Sequence, residues 1–351
     1  MALPSTTRQF FYPERGSFNN LDIQEVHVSS PKANEVLVKI HAVSLQYRDL
    51  MIAKAAYPGV LRDKLVPCSD GAGEVIAVGA DVTQWKVGDR VSPNFMLDKL
   101  HDELTPEIAA TSLGGQSHGV LTEYRTFPAH SLVAIPSHLS YEEASTLPCA
   151  AVTAYNALMS GFSPTKAGDM ILVQGTGGVS IFALQFAVAS GATVISLSSS
   201  DEKLKTAKKL GAKHIINYRT TPDWDAEVLK LTNGVGVDRV IEVVGNATLK
   251  RSMSAAKMNG SIDIIGALGG SSDAGTTPVD IIHPVIRKGL KIRGIFIGSV
   301  QEFKDMNKLM SANVEETRPV VDKVFPFEEA KAAYAYLESQ AHVGKIVIKV
   351  C

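Results

Sequence analysis

The stretch Met170-Ile-Leu-Val-Gln-Gly-Thr-Gly-Gly-Val-Ser180 determines the fold that we expect for this chain. Its apolar residues Ile171 to Val173 are typical of a buried parallel strand. Glycines follow at 175 and 177, and a mostly apolar run of helical length comes next. A second apolar run spans residues 192–197. A strand, a glycine-rich turn, a helix and a second strand in this order predict the first unit of a dinucleotide-binding sheet.

The residues of this turn have separate tasks. Gly175 permits the tight bend, and Gly177 lets the backbone come close to a pyrophosphate. Free amides and the dipole at the following helix N-terminus favour an anion there. The third position of the G-x-G-x-x-G pattern is Ser180, which is small enough for the helix to pack near the strand. We therefore predict cofactor contacts at Gly175, Thr176, Gly177, Gly178 and Val179.

The residues after the second strand indicate which dinucleotide binds. NAD sites usually carry an acidic residue there, which accepts a hydrogen bond from the ribose 2′-hydroxyl. This chain has Ser198, Ser199 and Ser200, with Lys203 one turn later, and these groups suit a 2′-phosphate. The acids at 201–202 are the counter-argument, but they also suit the first turn of the next helix. We therefore expect NADPH.

Composition indicates a globular protein of a reducing compartment. The 351 residues suffice for two sizeable cores, and the formal net charge of -1 gives no basic excess for nucleic acid or an anionic membrane. The three cysteines, Cys68, Cys149 and Cys351, are irregularly spaced, which argues against a disulfide framework. Because the first residues lack a signal-peptide core and no apolar run is long enough to span a bilayer, we expect a cytoplasmic location.

The pattern of elements changes along the chain. Residues 1 to about 125 carry short strands punctuated by glycine, among them residues 35–44 and 73–79, and predict a rolled antiparallel barrel. Ser140 and Glu143 form a predicted capping box that starts a helical segment. Strands and helices then alternate to residue 298, which predicts a doubly wound parallel sheet. The last strand, residues 344–350, is expected to return to the barrel because the parallel sheet is already complete.

Turn residues set the expected limits of the later elements. We predict a helix from Thr248 to Met258, closed by Asn259-Gly260, and a sixth strand from Lys291 to Gly298. That strand could pair edge to edge with a second copy of the chain, so a homodimer is compatible with the sequence.

Several motifs are shared with one known superfamily. They are Leu45-Gln-Tyr-Arg-Asp-Leu50, Asp70-Gly-Ala-Gly-Glu-Val-Ile-Ala-Val-Gly79, Val87-Gly-Asp-Arg-Val91, Leu147-Pro-Cys-Ala-Ala-Val-Thr-Ala-Tyr155, Pro326-Phe-Glu-Glu-Ala330 and Gly344-Lys-Ile-Val-Ile348. With them the chain resembles the medium-chain dehydrogenase/reductase superfamily, and most closely its zinc-free NADPH:quinone oxidoreductases and related enoyl reductases. Gln46 stands where that branch has Asn. The resemblance implies an α/β fold with a GroES-like β-barrel catalytic domain at 1–150 and 299–351 and a Rossmann domain, which binds NADPH, at 151–298.

The same resemblance bears on metal binding. The alcohol dehydrogenases of the superfamily hold catalytic zinc through a cysteine, a histidine-glutamate pair and a later cysteine or aspartate. The corresponding residues here are Gln46, the segment Cys68-Ser69-Asp70, and Cys149. A catalytic site needs about three nitrogen, sulfur or carboxylate ligands, so we expect none; convergence of His41, Cys68, Asp70 and Cys149 on a metal is the alternative. Cys149, His118 and His130 are expected to be structural.

Without a metal, the expected reaction is hydride transfer from NADPH to a quinone or an α,β-unsaturated carbonyl, because no Lewis acid stabilises an alkoxide. Tyr47 is the candidate hydrogen-bond donor or pocket wall in the cleft. Arg48 and Asp49 are expected to form a structural pair or to contact the nicotinamide ribose. The sequence leaves open a pathway-specific enoyl or enal reductase, a zinc-independent alcohol dehydrogenase-like enzyme, and a non-catalytic NADPH-binding protein.

Further cofactor contacts follow from the resemblance and from strand ends. Thr153 is implied as a partner of the carboxamide, and Tyr218 and Arg219 would flank the 2′-phosphate. Backbone groups at strand ends are expected to hold the nicotinamide, namely at Gly266, Phe296, Ile297 and Gly298. Lys345 is a candidate contact from the return segment, but we favour a plain exposed lysine.

Overall fold

The computed structural model describes residues 3–266 and 279–351. The chain divides into two compact units. The first, here called the barrel unit, comprises Met1–Val152, Ile297–Val314 and Arg318–Cys351; the second, here called the parallel-sheet unit, comprises Thr153–Phe296 and Glu315–Thr317.

In chain order the strands are β1 (Thr6–Phe11), β2 (Asp22–His27), β3 (Glu35–Ser44), β4 (Asp70–Val78), β5 (Arg90–Pro93), β6 (Tyr124–Pro128), β7 (Leu132–Ala134), β8 (Met170–Gln174), β9 (Thr193–Ser198), β10 (His214–Asn217), β11 (Val237–Glu242), β12 (Ala256–Ile264), β13 (Lys291–Gly294), β14 (Val321–Pro326) and β15 (Lys345–Lys349).

The α-helices are α1 (Tyr47–Ala53), α2 (Pro106–Ala109), α3 (Tyr141–Ala144), α4 (Val152–Met159), α5 (Gly178–Ala189), α6 (Asp201–Lys209), α7 (Trp224–Leu231), α8 (Asn246–Ala255), α9 (Ile282–Lys288), α10 (Val300–Ala312) and α11 (Ala330–Glu338). Short 3-10 turns lie at Phe18–Asn20, Ala129–Ser131 and Phe327–Glu329, and a π-helical segment at Leu147–Ala151 leads into α4.

The sheet of the barrel unit has the order β14-β15-β3-β4-β5-β7, with β6 also paired to β3. The central strand β3 pairs antiparallel with β4, β6 and β15, and its apolar residues are packed into the core. Gly73 permits the close contact of β4 with β3, because a Cβ there would lie 2.1 Å from the Lys39 carbonyl oxygen. The return of the last strand, β15, to this sheet confirms the sequence prediction.

The sheet of the parallel-sheet unit has the order β10-β9-β8-β11-β12-β13, and all its pairs are parallel. If the six strands β8 to β13 are numbered 1 to 6 in chain order, the sheet has the order 3-2-1-4-5-6 of a doubly wound dinucleotide-binding fold. Ligands of such sheets bind at the carboxyl ends of the strands where the order reverses, here between β8 and β11. The fold class predicted from the sequence is thus confirmed.

Several local predictions are confirmed and two are wrong. Ser140 caps α3, and its hydroxyl accepts a hydrogen bond from Glu143 N as a capping box requires. Helix α8 ends at Ala255, not Met258, because β12 already pairs with β11 at Ala256. Asn259 lies inside β12 with a φ of 58°, where the register against β11 slips. Strand β13 ends at Gly294 rather than Gly298.

In the part of the chain that is described, no helix combines the length and apolar character that crossing a bilayer requires.

Candidate functional site

The glycine-rich turn, residues 175–179, joins β8 to α5. Gly175 has a φ of 76°, which a residue with a side chain would adopt only under strain. Its N–H donates to the Leu197 carbonyl at 2.7 Å and ties the turn to β9. A Cβ built on Gly175 or Gly177 would meet no atom within 4 Å. The turn therefore leaves open space against its backbone, as the approach of a pyrophosphate requires.

The start of α5 is suited to an anion. Gly177 is the N-cap and offers no side chain to the first-turn amides, which include those of Gly178 and Val179. Such amides have no acceptor within their own helix. Ser180 is buried, and its hydroxyl donates to the Gln174 carbonyl at 2.6 Å. The serine in the third motif position therefore fixes the helix on β8, and these residues fit a nicotinamide dinucleotide.

Some polar groups after β9 already form hydrogen bonds at the start of α6. The Ser200 hydroxyl accepts from Lys203 N at 3.4 Å and caps the helix, while Ser198 Oγ accepts from Ser200 N at 3.4 Å. Asp201 accepts from Asn217 Nδ2 at 2.8 Å within the first turn of α6. The expected first-turn position of this acid is confirmed.

The next strand adds a residue beside these serines. Tyr218 N donates to the Ser198 carbonyl at 3.0 Å, and the tyrosine side chain is exposed. Buried Ser198 ends β9, Ser199 follows it, Lys203 lies in α6, and Tyr218 follows β10 beside Ser198. Exposed Arg219 follows directly, and its backbone N–H donates to Asn217 Oδ1.

Two further predicted contacts lie in the same unit. Thr153 is buried, and its hydroxyl has no hydrogen-bond partner in the described structure. A buried hydroxyl without a partner is costly, so Thr153 fits a role as donor or acceptor to a ligand. Gly266 follows β12, and a Cβ there would lie 2.3 Å from the Val243 carbonyl oxygen. The close packing against Val243 therefore requires glycine at position 266.

The segment 296–298 is divided between the units. Phe296 belongs to the parallel-sheet unit and is exposed, whereas Ile297 and Gly298 belong to the barrel unit. Ile297 has a φ of 57°, a value that β-branched residues rarely adopt. A Cβ on Gly298 would lie 2.3 Å from Val152 Cγ1. The backbone of this segment has an unusual φ at Ile297 and close packing at Gly298. The prediction that these residues lie at the end of a strand is wrong, because β13 ends at Gly294.

A buried polar cluster in the barrel unit contains the residues that the sequence resemblance aligned with zinc ligands. We call Gln46, Ser69, Asp70, Cys149 and Lys345 the Asp70 network. Asp70 is fully buried; its Oδ2 accepts from Gln46 Nε2 at 2.5 Å and from Cys149 N at 3.1 Å. Its Oδ1 accepts from Ser69 Oγ at 2.5 Å. Both carboxylate oxygens are thus engaged by protein donors.

Lys345 supplies the positive charge of this network. It is only 3% exposed, and its Nζ donates to the Leu45 carbonyl at 2.5 Å. Burial raises the pKa of Asp70 to about 6, while Lys345 is the strongest of the influences that lower it. Burial likewise lowers the pKa of Lys345, against the attraction of Asp70. The interpretation of Lys345 as a plain exposed lysine is wrong.

The donor set does not fit a catalytic zinc site. Burial raises the pKa of the Cys68 and Cys149 thiols well above their ordinary value. Cys68 Sγ instead lies 3.4 Å from the Tyr334 hydroxyl. Among the residues described, no group of three or more His, Cys, Asp and Glu side chains is placed to hold a metal ion. Gln46 and Ser69 serve as donors to Asp70.

Helix α1 carries the three residues predicted to be catalytic. Tyr47 begins it and is 36% exposed. Asp49 is buried; its Oδ2 accepts from Gln46 N at 2.8 Å, and its Oδ1 has no partner within the described residues. Burial raises the pKa of Asp49 to about 7. Arg48 Nη1 donates to the Leu113 carbonyl at 2.9 Å. The predicted Arg48–Asp49 pair is therefore not hydrogen-bonded among the described residues, although the Arg48 charge lowers the pKa of Asp49 against the effect of burial.

Arg48 is held by aromatic rings and not by an acid. Its guanidinium carbon lies 4.7 Å from the Phe95 ring centre and 5.0 Å from that of Tyr57. Such cation–π contacts hold the guanidinium in place. The histidines expected to be structural each have a protein partner: His118 Nδ1 accepts from Val66 N, and His130 Nε2 lies 2.7 Å from Asp98 Oδ1.

Comparisons with known proteins agree with both units. The family described as "Alcohol dehydrogenase GroES-like domain" matches residues 32–137, and that described as "Zinc-binding dehydrogenase" matches residues 178–312. A zinc-type alcohol dehydrogenase-like protein of Schizosaccharomyces pombe is 48% identical over 98% of this chain and 99% of its own.

Solved structures give the same result. A putative alcohol dehydrogenase of Sinorhizobium meliloti 1021 has a TM-score of 0.89 at 35% identity and covers 99% of this chain and 100% of its own. An NAD-dependent alcohol dehydrogenase has a TM-score of 0.87 at 31% identity, over 98% of this chain and 100% of its own. The chain belongs to the medium-chain dehydrogenase/reductase superfamily.

Proposed function

We propose that this oxidoreductase transfers a hydride from NADPH to a quinone or an α,β-unsaturated carbonyl without a catalytic zinc ion. The observation that carries this proposal is the Asp70 network. Its carboxylate is bound by Gln46, Ser69 and the Cys149 backbone, and in sequence these residues correspond to the zinc-ligand segments of the zinc-dependent alcohol dehydrogenases.

The bound nicotinamide dinucleotide supplies the hydride. The first-turn amides of α5 would bind its pyrophosphate, because they have no side-chain cap. Ser198, Ser199 and Lys203 would select the 2′-phosphate, and no acid stands at the end of β9 to repel it. The Thr153 hydroxyl would bind the carboxamide. The chain's main contribution to rate is to hold the cofactor close to the acceptor.

The choice of acceptor follows from the lack of a suitable zinc site. Oxidation of a simple alcohol passes through an alkoxide, which a zinc ion would stabilise. In a quinone or enone, the charge that arrives with the hydride spreads onto an oxygen, which needs only hydrogen-bond donors. The exposed Tyr47 hydroxyl or water supplies the proton that completes the reduction.

Other functions remain as alternatives with their own support. The relatives reported above are named as alcohol dehydrogenases or as alcohol dehydrogenase-like, and one as zinc-type. A zinc-dependent alcohol dehydrogenase would need the ligands that Gln46 and Ser69 do not provide. A pathway-specific enoyl or enal reductase and a zinc-independent alcohol dehydrogenase-like enzyme would use the same groups. A non-catalytic NADPH-binding protein would use the parallel-sheet unit alone.

An acceptor screen distinguishes these functions. We expect the purified chain to oxidise NADPH with at least one member of a panel of quinones and conjugated enones, and to show no turnover with simple alcohols. The Tyr47→Phe variant should keep cofactor binding and lose part of kcat. Binding of NADPH without turnover on any acceptor would favour the non-catalytic alternative. Turnover of simple alcohols that depends on added zinc would refute the proposal.

Assembly and location complete the proposal. Strand β13 lies at an edge of the described parallel sheet, and pairing of two such edges would give a homodimer. Light scattering after size-exclusion chromatography tests this, and a monomeric mass would exclude it. We also propose a cytoplasmic location, which rests on the cysteine content, and no membrane or nucleic-acid partner.

A further inference from the structure

A second candidate site lies entirely within the barrel unit, apart from the Asp70 network. A cavity of about 320 Å³ lies between the β1–β2 hairpin and strand β6. Its size is within the range of small-molecule sites. Its walls include Arg125, His118, His27, Ser29 and Thr126, and none of its lining residues is acidic. We call it the Arg125 cavity.

Arg125 carries a charge that no acid of the described structure balances. Its Nη1 donates to the His118 and Gly119 carbonyl oxygens, and its guanidinium carbon lies 5.1 Å from the Phe127 ring centre. Burial lowers its pKa to about 10, with exposed Arg62 lowering it further. The group remains a cation at neutral pH. Arg125 is partly buried. A cation that is partly buried without a counter-charge bears a desolvation cost, and an anionic ligand would reduce that cost.

His118 adds a neutral donor beside this cation. Burial, Arg62 and Arg125 lower the pKa of His118 to about 4, so the ring is neutral at pH 7. Its Nδ1 accepts from Val66 N at 3.2 Å. The single ring proton of this tautomer is therefore on Nε2, which can donate to a ligand. Arg125 has Nε and Nη2 hydrogens besides, and no hydrogen bond within the described residues uses them.

We propose that the Arg125 cavity binds a small oxyanion, of the phosphate or carboxylate type, through the Arg125 guanidinium with His118 and the hydroxyls of Ser29 and Thr126 as further donors. A guanidinium pairs with two oxygens of such anions at once. Because no acid lines the cavity, no fixed anion competes with a ligand for the Arg125 charge. The site is independent of the proposed hydride transfer, because it uses none of the cofactor or Asp70-network residues.

Isothermal titration calorimetry tests the proposal on the full chain. Inorganic phosphate and malonate are titrated separately at constant ionic strength, with chloride as the reference. We expect saturable binding of at least one of them, and the comparison of the two identifies the preferred oxyanion. Arg125→Gln should weaken this binding at least about tenfold. Arg251→Gln, which removes an exposed guanidinium of the parallel-sheet unit, should leave it unchanged.

Two further variants keep the test decisive. Ser29→Glu retains Arg125 and places a carboxylate on the exposed rim of the cavity, so it should weaken binding even if Arg125→Gln fails to fold. Lys203→Ala should leave the binding intact, because Lys203 follows β9 in the parallel-sheet unit. The proposal is overturned if the wild type binds neither anion saturably, if Ser29→Glu binds as well as the wild type, or if Lys203→Ala abolishes the binding.

Discussion

The glycine-rich turn and the Asp70 network are built in opposite ways. The turn comes from one continuous stretch, and its function depends on side chains that are absent at Gly175 and Gly177. The Asp70 network comes from four separate segments, and it depends on buried groups, three of which donate hydrogen bonds to Asp70. The site for a bound cofactor leaves space beside its backbone. The network proposed to stand in place of a metal has its carboxylate oxygens bound by the protein's own donors.

The largest expected effect concerns the pH dependence of stability at Asp49, beside the buried Asp70 network. Burial raises the pKa of Asp49, which lies beside the network, to about 7 from 3.8, with Asp70 adding to the rise and Arg48 and Lys345 opposing it. The folded chain therefore keeps this proton to a higher pH than the unfolded chain, and stability is lost as pH rises from about 4 to about 7. The slope is at most about 1.4 kcal/mol per pH unit.

Denaturant unfolding at several pH values measures this slope. Asp49→Asn keeps an acceptor for Gln46 N and should gain stability relative to the wild type, by up to about 4 kcal/mol between pH 4 and pH 7. Asp305→Asn, at a surface ion pair with Lys308, should show no such gain. A difference between Asp49→Asn and the wild type that is independent of pH would mean that Asp49 titrates normally.

The next effect tests the open space at the glycine-rich turn. Gly177→Ala adds a methyl group that meets no protein atom within 4 Å, so the fold should be unchanged. If a pyrophosphate occupies that space, the affinity for NADPH should fall about 30-fold, or about 2 kcal/mol. Gly294→Ala is the control, because it also enters open space, but at the end of β13. Equal NADPH affinity of the two variants would place the cofactor elsewhere.

The smallest effect concerns cofactor selectivity. Lys203→Ala should raise the Michaelis constant for NADPH roughly tenfold, about 1.4 kcal/mol, and leave that for NADH nearly unchanged. Lys205→Ala is a matched control on the same helix, where Lys205 pairs with Glu202 on the surface. Equal changes for NADPH and NADH in Lys203→Ala would contradict a role in binding the 2′-phosphate.

The two regions also differ in how far the sequence predicts them. The glycine turn, the six parallel strands and the returning strand β15 follow from local patterns, because apolar runs and glycines act on their own neighbours in the chain. The Asp70 network was predicted only as a set of poor zinc ligands. The hydrogen bonds to Asp70 join residues up to 79 positions apart, and that of Lys345 joins residues 300 positions apart. The period of a strand does not encode such contacts.

Two side-chain placements show the same limit. Lys345 and Lys349 stand at the two ends of β15, yet the structure buries the first and exposes the second. The difference in burial between the two lysines comes only from their tertiary surroundings, in which Asp70 lies near Lys345. Arg48 and Asp49 are adjacent in sequence and opposite in charge, but Arg48 packs on Phe95 and Asp49 accepts from Gln46 N. On a helix, neighbouring residues point in different directions.

The most direct test of the central claim, that the Asp70 network stands where a catalytic metal would, is the zinc content of the chain. The protein is expressed with added zinc, purified and measured by elemental analysis, with Gln46→Cys/Ser69→His as a variant that restores ligand types at two positions. We predict well under one equivalent of zinc in the wild type and no effect of a chelator on NADPH-dependent reduction. One equivalent of zinc per wild-type chain, with activity that the chelator abolishes, would contradict the claim.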